Sequence, residues 1–211
     1  MLLKLNIFKI LRSKFFPFYK SSELKEIFKI LEKDHQNSDE VAMFVGGCVR
    51  NYLKNKDIND IDLATILTPD QIKQKFENTK FKVVETGIGH GSVTLLGKNL
   101  KYEITTLRKD IKTDGRHAEV EFSTDWTEDS ERRDFTINAI YLNKKGKIFD
   151  PQLGVKDLNN NIVKFIGDPE KRIQEDYLRI LRFVRFSLTY GHQPENTTMR
   201  SIRLNIKGIS K

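Results

Sequence analysis

The chain has 211 residues, 38% hydrophobic and 31% charged, with 37 lysines and arginines against 29 acids for a formal charge of +8. That is room for one domain and part of a second, and no window approaches the ~20 apolar residues of a membrane span, so no membrane partner is expected. The single cysteine, Cys48, excludes an internal disulfide and a cysteine-based zinc site, and fits a reducing compartment, the cytoplasm or an organellar matrix.

A pI near 9.4 suits a polyanionic partner such as nucleic acid, although a lysine- and asparagine-rich composition also follows from an AT-rich genome. The first twenty residues carry Lys4, Lys9, Arg12, Lys14 and Lys20 and no acid. These charges interrupt a secretory apolar run and serine is scarce for a transit peptide, so an ordinary lead-in and first helix are expected. Ser21-Ser22-Glu23 reads as a cap, and Leu24, Phe28 and Leu31 continue with helical spacing.

Val41-Ala42-Met43-Phe44-Val45 reads as a buried strand, and Gly46-Gly47 as a sharp turn that leaves no side chain to keep a phosphate away. Helical spacing resumes at Val49 to Leu53, placing the glycines at a helix N-terminus with Arg50 on its first turn. Free N–H groups and a guanidinium there favour an anion. Asp60-Ile61-Asp62-Leu63-Ala64-Thr65-Ile66 reads as a strand with both aspartates on one face. Two adjacent carboxylates suit a divalent cation, and magnesium is often held by such a pair together with substrate phosphates. The tripeptide alone is equally a solvated turn.

Thr68-Pro69 opens a helix that buries Ile72 and Phe76. Phe81 to Val84, Ser92 to Leu96 and Lys101 to Arg108 read as strands, the last two as a hairpin around Gly97-Lys98-Asn99, with His90 a turn residue. Glu103 is a charged residue on an otherwise β-prone strand and reads as solvent-facing. Lys109 to His117, including Arg116, is polar enough to be a surface loop, with a strand from Glu119 to Ser123 and Trp126 a packing anchor after it.

In Glu131-Arg132-Arg133-Asp134-Phe135-Thr136-Ile137-Asn138-Ala139-Ile140, Phe135, Ile137 and Ile140 anchor the segment. Arg133 can grip phosphate and Asp134 can accept from a ribose hydroxyl, while a surface ion-pair cluster serves as well. Ala139 to Leu142 and Lys147 to Asp150 read as strands, and Gly167-Asp168-Pro169 as a helix start. Glu175 to Phe186 reads as one helix in which Asp176 lies a turn before Arg179, with Arg182 and Arg185 continuing the stripe and Leu178, Leu181, Val184 and Leu188 buried.

Gly-Gly-x-Val-Arg at 46–50, Asp-x-Asp-x-Ala-Thr at 60–65, Arg-Arg-Asp-Phe-Thr-x-Asn-Ala at 132–139 and Glu-Asp-x-x-Arg at 175–179 resemble, in that order, the class II tRNA nucleotidyltransferases. These are the CCA-adding enzymes, and the related bacterial poly(A) polymerases share the motifs. The resemblance runs from about residue 22 to 211 and implies an α+β fold. A polymerase-β-like head, with a small mixed or antiparallel sheet and flanking helices, would span residues 1–150, and a connector and truncated helical neck residues 151–211.

The implied reaction is template-independent addition of CCA from CTP and ATP to the 3′ end of tRNA, releasing pyrophosphate. Asp60 and Asp62 would hold magnesium ions, with a third carboxylate on a neighbouring strand for which Glu103 is the candidate. Gly46, Gly47 and Arg50 would engage the triphosphate, and Arg133 and Asp134 the sugar and phosphate. Asp176 and Arg179 would read the Watson–Crick edges of cytosine and adenine in place of a template, supported by Arg182 and Arg185. Asn51 stands where the family usually has aspartate, and family members continue into a helical body and tail that hold the tRNA. A poly(A) polymerase, a split enzyme whose second chain supplies the body, and an inactive nucleotide- or RNA-binding remnant are the other readings.

Overall fold

The computed structural model describes residues 18–35, 40–87, 91–98, 100–114, 117–191 and 194–210, with side chains described at all of these except 86, 87 and 110–120. The readings placed on the first seventeen residues, on His90 and on Arg116 lie outside the described residues.

The chain packs as two units. One comprises the described residues up to Thr106 together with Tyr141–Phe149; the other comprises Leu107–Ile140 and the described residues from Asp150 onward. The sequence suggests a single boundary at residue 150, whereas the packing interleaves the two units along the chain.

In the first unit, Ser21 caps α1 (Ser22–Leu31) by accepting from the Leu24 N–H at 3.2 Å, and the helix buries Leu24, Ile27, Phe28 and Leu31. Phe28 packs on Phe44 of β1 (Ala42–Val45), a strand buried at every position. After β1 come α2 (Gly47–Leu53), β2 (Ile61–Thr65) and α3 (Pro69–Phe76), the last opened by a reciprocal cap between Thr68 and Gln71. Strands β3 (Lys82–Gly87), β4 (Ser92–Leu96) and β5 (Lys101–Thr106) follow.

The two short strands that follow later in the chain, Tyr141–Leu142 and Ile148–Phe149, complete a sheet of seven strands among the described residues. In order along the sheet the strands are β3, β4, β5, β2, β1, Tyr141–Leu142 and Ile148–Phe149, with β2–β5 parallel and every other pair antiparallel. Alternation fixes the register of β4 and β5. Val93, Leu95, Tyr102 and Ile104 turn into the core, so Thr94 and Glu103 face the other way. Glu23 on α1 accepts from the Tyr102 hydroxyl at 2.5 Å and from the Lys98 N–H at 2.9 Å, clamping the helix to the β4–β5 hairpin.

The second unit corrects three expectations. The described part of the segment read as a surface loop is a ribbon: β6 (Arg108–Asp114) pairs antiparallel with β7 (His117–Phe122). Their polarity misleads because the ladder is made by backbone groups, which need no apolar face, and Lys109 and Glu121, paired across the ribbon, form a 3.1 Å ion pair. Next, Asp125 caps α4 (Trp126–Glu131), with Trp126 half-buried in its first turn. With the strands Tyr141–Leu142 and Ile148–Phe149 numbered β8 and β9, helices α5 (Gly154–Asn159) and α6 (Pro169–Glu175) follow, and Asp168 caps α6.

The second correction is a break in the expected helix from Glu175. Asp176 is extended (φ −157°, ψ 106°), and α7 (Leu178–Tyr190) starts afresh before α8 (Asn196–Asn205). Third, α7 buries Ile180, Phe183, Phe186 and Tyr190, while Leu181, Val184 and Leu188 are exposed. Two apolar stripes compete on this helix, and the aromatic one wins. Phe183 stacks on Phe165 at 5.6 Å, and Phe135 meets both Phe165 and Phe186. Aromatic rings bury more area than leucine or valine and gain from edge and offset contacts.

The connector after β9 is fixed by hydrogen bonds. Asp150 accepts from the Gly154 and Val155 N–H groups, and Asp157 accepts from the Thr136 hydroxyl at 2.7 Å. A methyl group on Gly154 would lie 2.1 Å from the Thr136 carbonyl oxygen, so only glycine fits there.

The choice of buried stripe is testable by denaturant unfolding. Phe183→Ala is expected to cost about 3–5 kcal/mol and Leu188→Ser to stay within about 0.5 kcal/mol of the parent. The reverse ranking would contradict the packing of α7.

Candidate active site

In the first unit, candidate site residues gather around the turn that leaves β1. Gly46 has φ +70°, a conformation that side chains rarely adopt, and a methyl group on it would lie 3.3 Å from Asp62 Oδ2. Gly47 begins α2, and the corresponding position on it would be 3.8 Å from Arg50 Nη2 and 4.0 Å from Asp62 Oδ2. Bare backbone, a guanidinium and a carboxylate therefore converge. Arg50 is 8% exposed, so its charge is presented from within the fold rather than from the surface.

Register supplies the carboxylates. Asp62 pairs with Val45 on one side and with Glu103 on the other, in the parallel β2–β5 ladder. Neighbouring strands lie about 4.8 Å apart, so Asp62 and Glu103 stand side by side on the face opposite Ile61, Leu63, Tyr102 and Ile104. Asp60 is exposed and immediately precedes β2. Among the described residues, no three His, Cys, Asp or Glu side chains are gathered into a ready-made metal cage.

Two residues beside this turn were not assigned a part by sequence. Cys48 Sγ lies 3.2 Å from the Val45 carbonyl oxygen and 3.6 Å from that of Asp62, so it packs the glycine turn against both strands. Burial pushes its thiol up to about 12. Asn51, the departure from the family pattern, donates its amide to the Asp57 carbonyl at 2.8 Å and ties the loop between α2 and β2. An ionised aspartate has no proton to make that bond.

The second unit carries an arginine-rich cluster of its own. Asp129, with 1% of its side chain exposed, accepts from Arg132 Nε at 2.9 Å on one oxygen and from Arg133 Nε and Nη2 at 3.1 and 2.9 Å on the other. Asp134 accepts from the Phe135 N–H at 2.8 Å and from Asn138 at 2.9 Å through Oδ1. Its Oδ2 takes Arg182 Nε and Nη2 at 2.7 and 2.6 Å. These four donors match the roughly four acceptor positions of a carboxylate.

Arg179 does not pair with Asp176, as helical spacing suggests. Its guanidinium donates to Glu175 and, at 2.7 Å, to the Arg172 carbonyl, while Asp176 accepts from the Leu178 N–H at 3.0 Å and starts α7. The physical reason is the extended backbone at Asp176, which takes it off the helical stripe. Arg182 and Arg185 are exposed on α7, each over the Phe186 ring. The sequence reading passed over Asp129, Arg172 and Glu175 as working residues. The signal for Asp129 was present: an acid three and four residues before two arginines on a helix.

The pattern of a glycine turn, an Asp-x-Asp strand edge and a neighbouring acid on a mostly antiparallel sheet defines a nucleotidyltransferase head. The chain belongs to the poly A polymerase head domain family, whose model matches residues 42–164.

Among curated relatives, it is 45% identical over 174 residues to the mitochondrial CCA tRNA nucleotidyltransferase 1 of Danio rerio, covering 78% of this chain and 39% of that one. It is 43% identical over 196 residues to the Homo sapiens protein of the same name (89% and 43%) and 42% over 191 residues to the CCA-adding enzyme of Ligilactobacillus salivarius strain UCC118 (90% and 46%). The solved Bacillus stearothermophilus CCA-adding enzyme in complex with CTP superposes with a TM-score of 0.73 at 34% identity, covering 88% of this chain and 44% of that one. The chain thus spans less than half the length of these relatives.

The packing of the glycine turn has a direct check, since Cys48 is the sole cysteine. Alkylation requires the thiolate, and a raised value keeps Cys48 neutral at pH 8. Labelling by iodoacetamide at pH 8 is expected to be at least about a hundredfold slower than for a free cysteine and to reach normal rates in denaturant. Rapid labelling of the native chain would contradict the burial of this turn.

Proposed function

We propose that this chain performs the nucleotide-adding chemistry of a CCA-adding enzyme, transferring nucleotidyl groups from CTP and ATP to the 3′ hydroxyl of tRNA with release of pyrophosphate. The observation that carries the reading is the convergence of Asp62 Oδ2 and Arg50 Nη2 on the bare Gly46-Gly47 turn, with Glu103 in register beside Asp62. The names of the relatives support the choice of tRNA over other RNA. The relatives named above are CCA-adding enzymes, which supports C, C and A over a long A tract as the product.

Magnesium fits this donor set. It takes one or two carboxylates and completes its shell with phosphate oxygens and water, so Asp60 and Asp62, with Glu103 alongside, suffice where the described residues hold no three-residue cage. When bound, the metal supplies a lowered pKa for the attacking hydroxyl and screening of the leaving group.

The protein's own residues do the rest. Backbone at Gly46 and Gly47 admits the triphosphate closely, and Arg50 supplies a positive charge held in place by burial. Arg133, oriented by Asp129, engages phosphate. The ribose hydroxyl reaches Asp134 in exchange with Arg182, whose side chain is 46% exposed. Asp176 and Arg179 select the base, and Arg182 and Arg185 support them.

The test is incorporation of labelled CTP and ATP into a tRNA transcript lacking its terminal CCA, in magnesium. The parent is expected to add C, C and A, and Asp60→Ala/Asp62→Ala to lose at least about a thousandfold in rate. A long A tract without use of CTP would move the assignment to poly(A) synthesis. Retained CTP and ATP binding without incorporation would show that the rest of the relatives' length, in this chain or from a second one, is needed to hold the RNA. Loss of both would leave the remnant reading.

A further inference from the structure

We propose that Arg172 is a positioning residue for base selection, a single guanidinium that locks the Arg132-Arg133-Asp134 backbone to the Glu175–Arg179 pair. The inference rests on the reading above that Asp176 and Arg179 select the base. Arg172 lies on α6, outside every motif that the sequence resemblance contains.

The geometry is that of a staple. Arg172 Nη2 donates to the Arg132 and Arg133 carbonyls at 2.5 and 2.8 Å, and Nη1 donates to Glu175 at 2.7 Å. The Arg172 carbonyl in turn accepts from Arg179 Nη1 at 2.7 Å, and Glu175 accepts from the same nitrogen. One residue therefore fixes the phosphate-and-sugar motif through its side chain and the base-reading arginine through both its carbonyl and its carboxylate partner. The side chains of Arg172 and Arg179 are each 12% exposed, so water competes little for these bonds.

This arrangement bears on selection rather than on affinity. Cytosine and uracil differ on their pairing edge by exchange of donor and acceptor at both the 4-position and N3. An arginine can discriminate between them only if its N–H groups are held in direction as well as in place. Glu175 and the Arg172 carbonyl both bind Nη1 of Arg179 and so set the plane of the fork. A lysine at 172 keeps the charge and loses the planar fork that reaches two carbonyls and a carboxylate at once.

The experiment is equilibrium binding of CTP and UTP to the full chain in magnesium, with thermal melting recorded for each variant. Arg172→Lys is expected to lower the ratio of CTP to UTP affinity at least tenfold, with UTP affinity within threefold of the parent and an unchanged melting temperature. Glu175→Gln tests the same clamp from its other side, should Arg172→Lys fail to fold, and is expected to lower the ratio likewise.

Full selectivity in both variants, alongside its collapse in Arg179→Ala, would overturn the staple and leave the base-reading assignment standing. Equal weakening of CTP and UTP with a lowered melting temperature would also overturn it, as a purely structural role. A parent that does not discriminate, or an Arg179→Ala variant that discriminates as the parent does, would remove the base-reading assignment and this inference with it.

Discussion

Two carboxylates held in register beside a turn without side chains set the terms for the first unit. Asp62 and Glu103 occupy paired positions on parallel strands, and Asp62 Oδ2 lies against Gly46. At about 5 Å such charges repel by roughly 1 kcal/mol in water and 3 kcal/mol at a surface-like dielectric. The fold carries that cost because the alternating core positions Ile61, Leu63, Tyr102 and Ile104 leave the acids no other face. A cation relieves it, which is why the energetics and the proposed chemistry point to the same residues. Gly46, Cys48 and Asn51 then appear as supports. The first gives the turn its positive φ, the second packs the turn against β1 and β2, and the third ties down the loop that leads to Asp60.

The second unit solves a different problem, the mutual repulsion of five arginines. Arg132 and Arg133 share Asp129, Arg172 and Arg179 share Glu175, and Arg182 takes Asp134. Asp129 and Glu175 each serve two arginines, and backbone carbonyls accept what the acids cannot. Apart from Arg182, the guanidinium groups are held in direction before any ligand arrives, so little reorganisation of them is left to be done on binding. Beneath them the cluster of Phe135, Phe165, Phe183 and Phe186 supplies the rigid floor.

How far the sequence could be read depended on whether local rules were opposed. The caps at Ser21, Thr68 and Asp168, the glycine turn and the β4–β5 hairpin obey rules that act within a few residues, and the structure follows them. The ribbon β6–β7 was hidden because its pairing depends on backbone groups, which composition does not report. Helix α7 was read on its aliphatic stripe because periodicity cannot rank two apolar faces. The tertiary contacts of Phe183 with Phe165 decided between them. The network around Arg172 was out of reach, since two of its acceptors are carbonyls about forty residues distant, and backbone oxygens carry no sequence signal.

The most direct measurement is the affinity of CTP in magnesium and in EDTA, for the parent and for Asp62→Asn, which keeps the shape of the side chain and removes its charge. If the carboxylates beside the glycine turn hold the metal with the triphosphate, magnesium tightens CTP binding at least tenfold in the parent. In the variant, with its melting temperature unchanged, that gain is lost. An equal gain in both proteins would contradict the assignment of Asp62 to the metal.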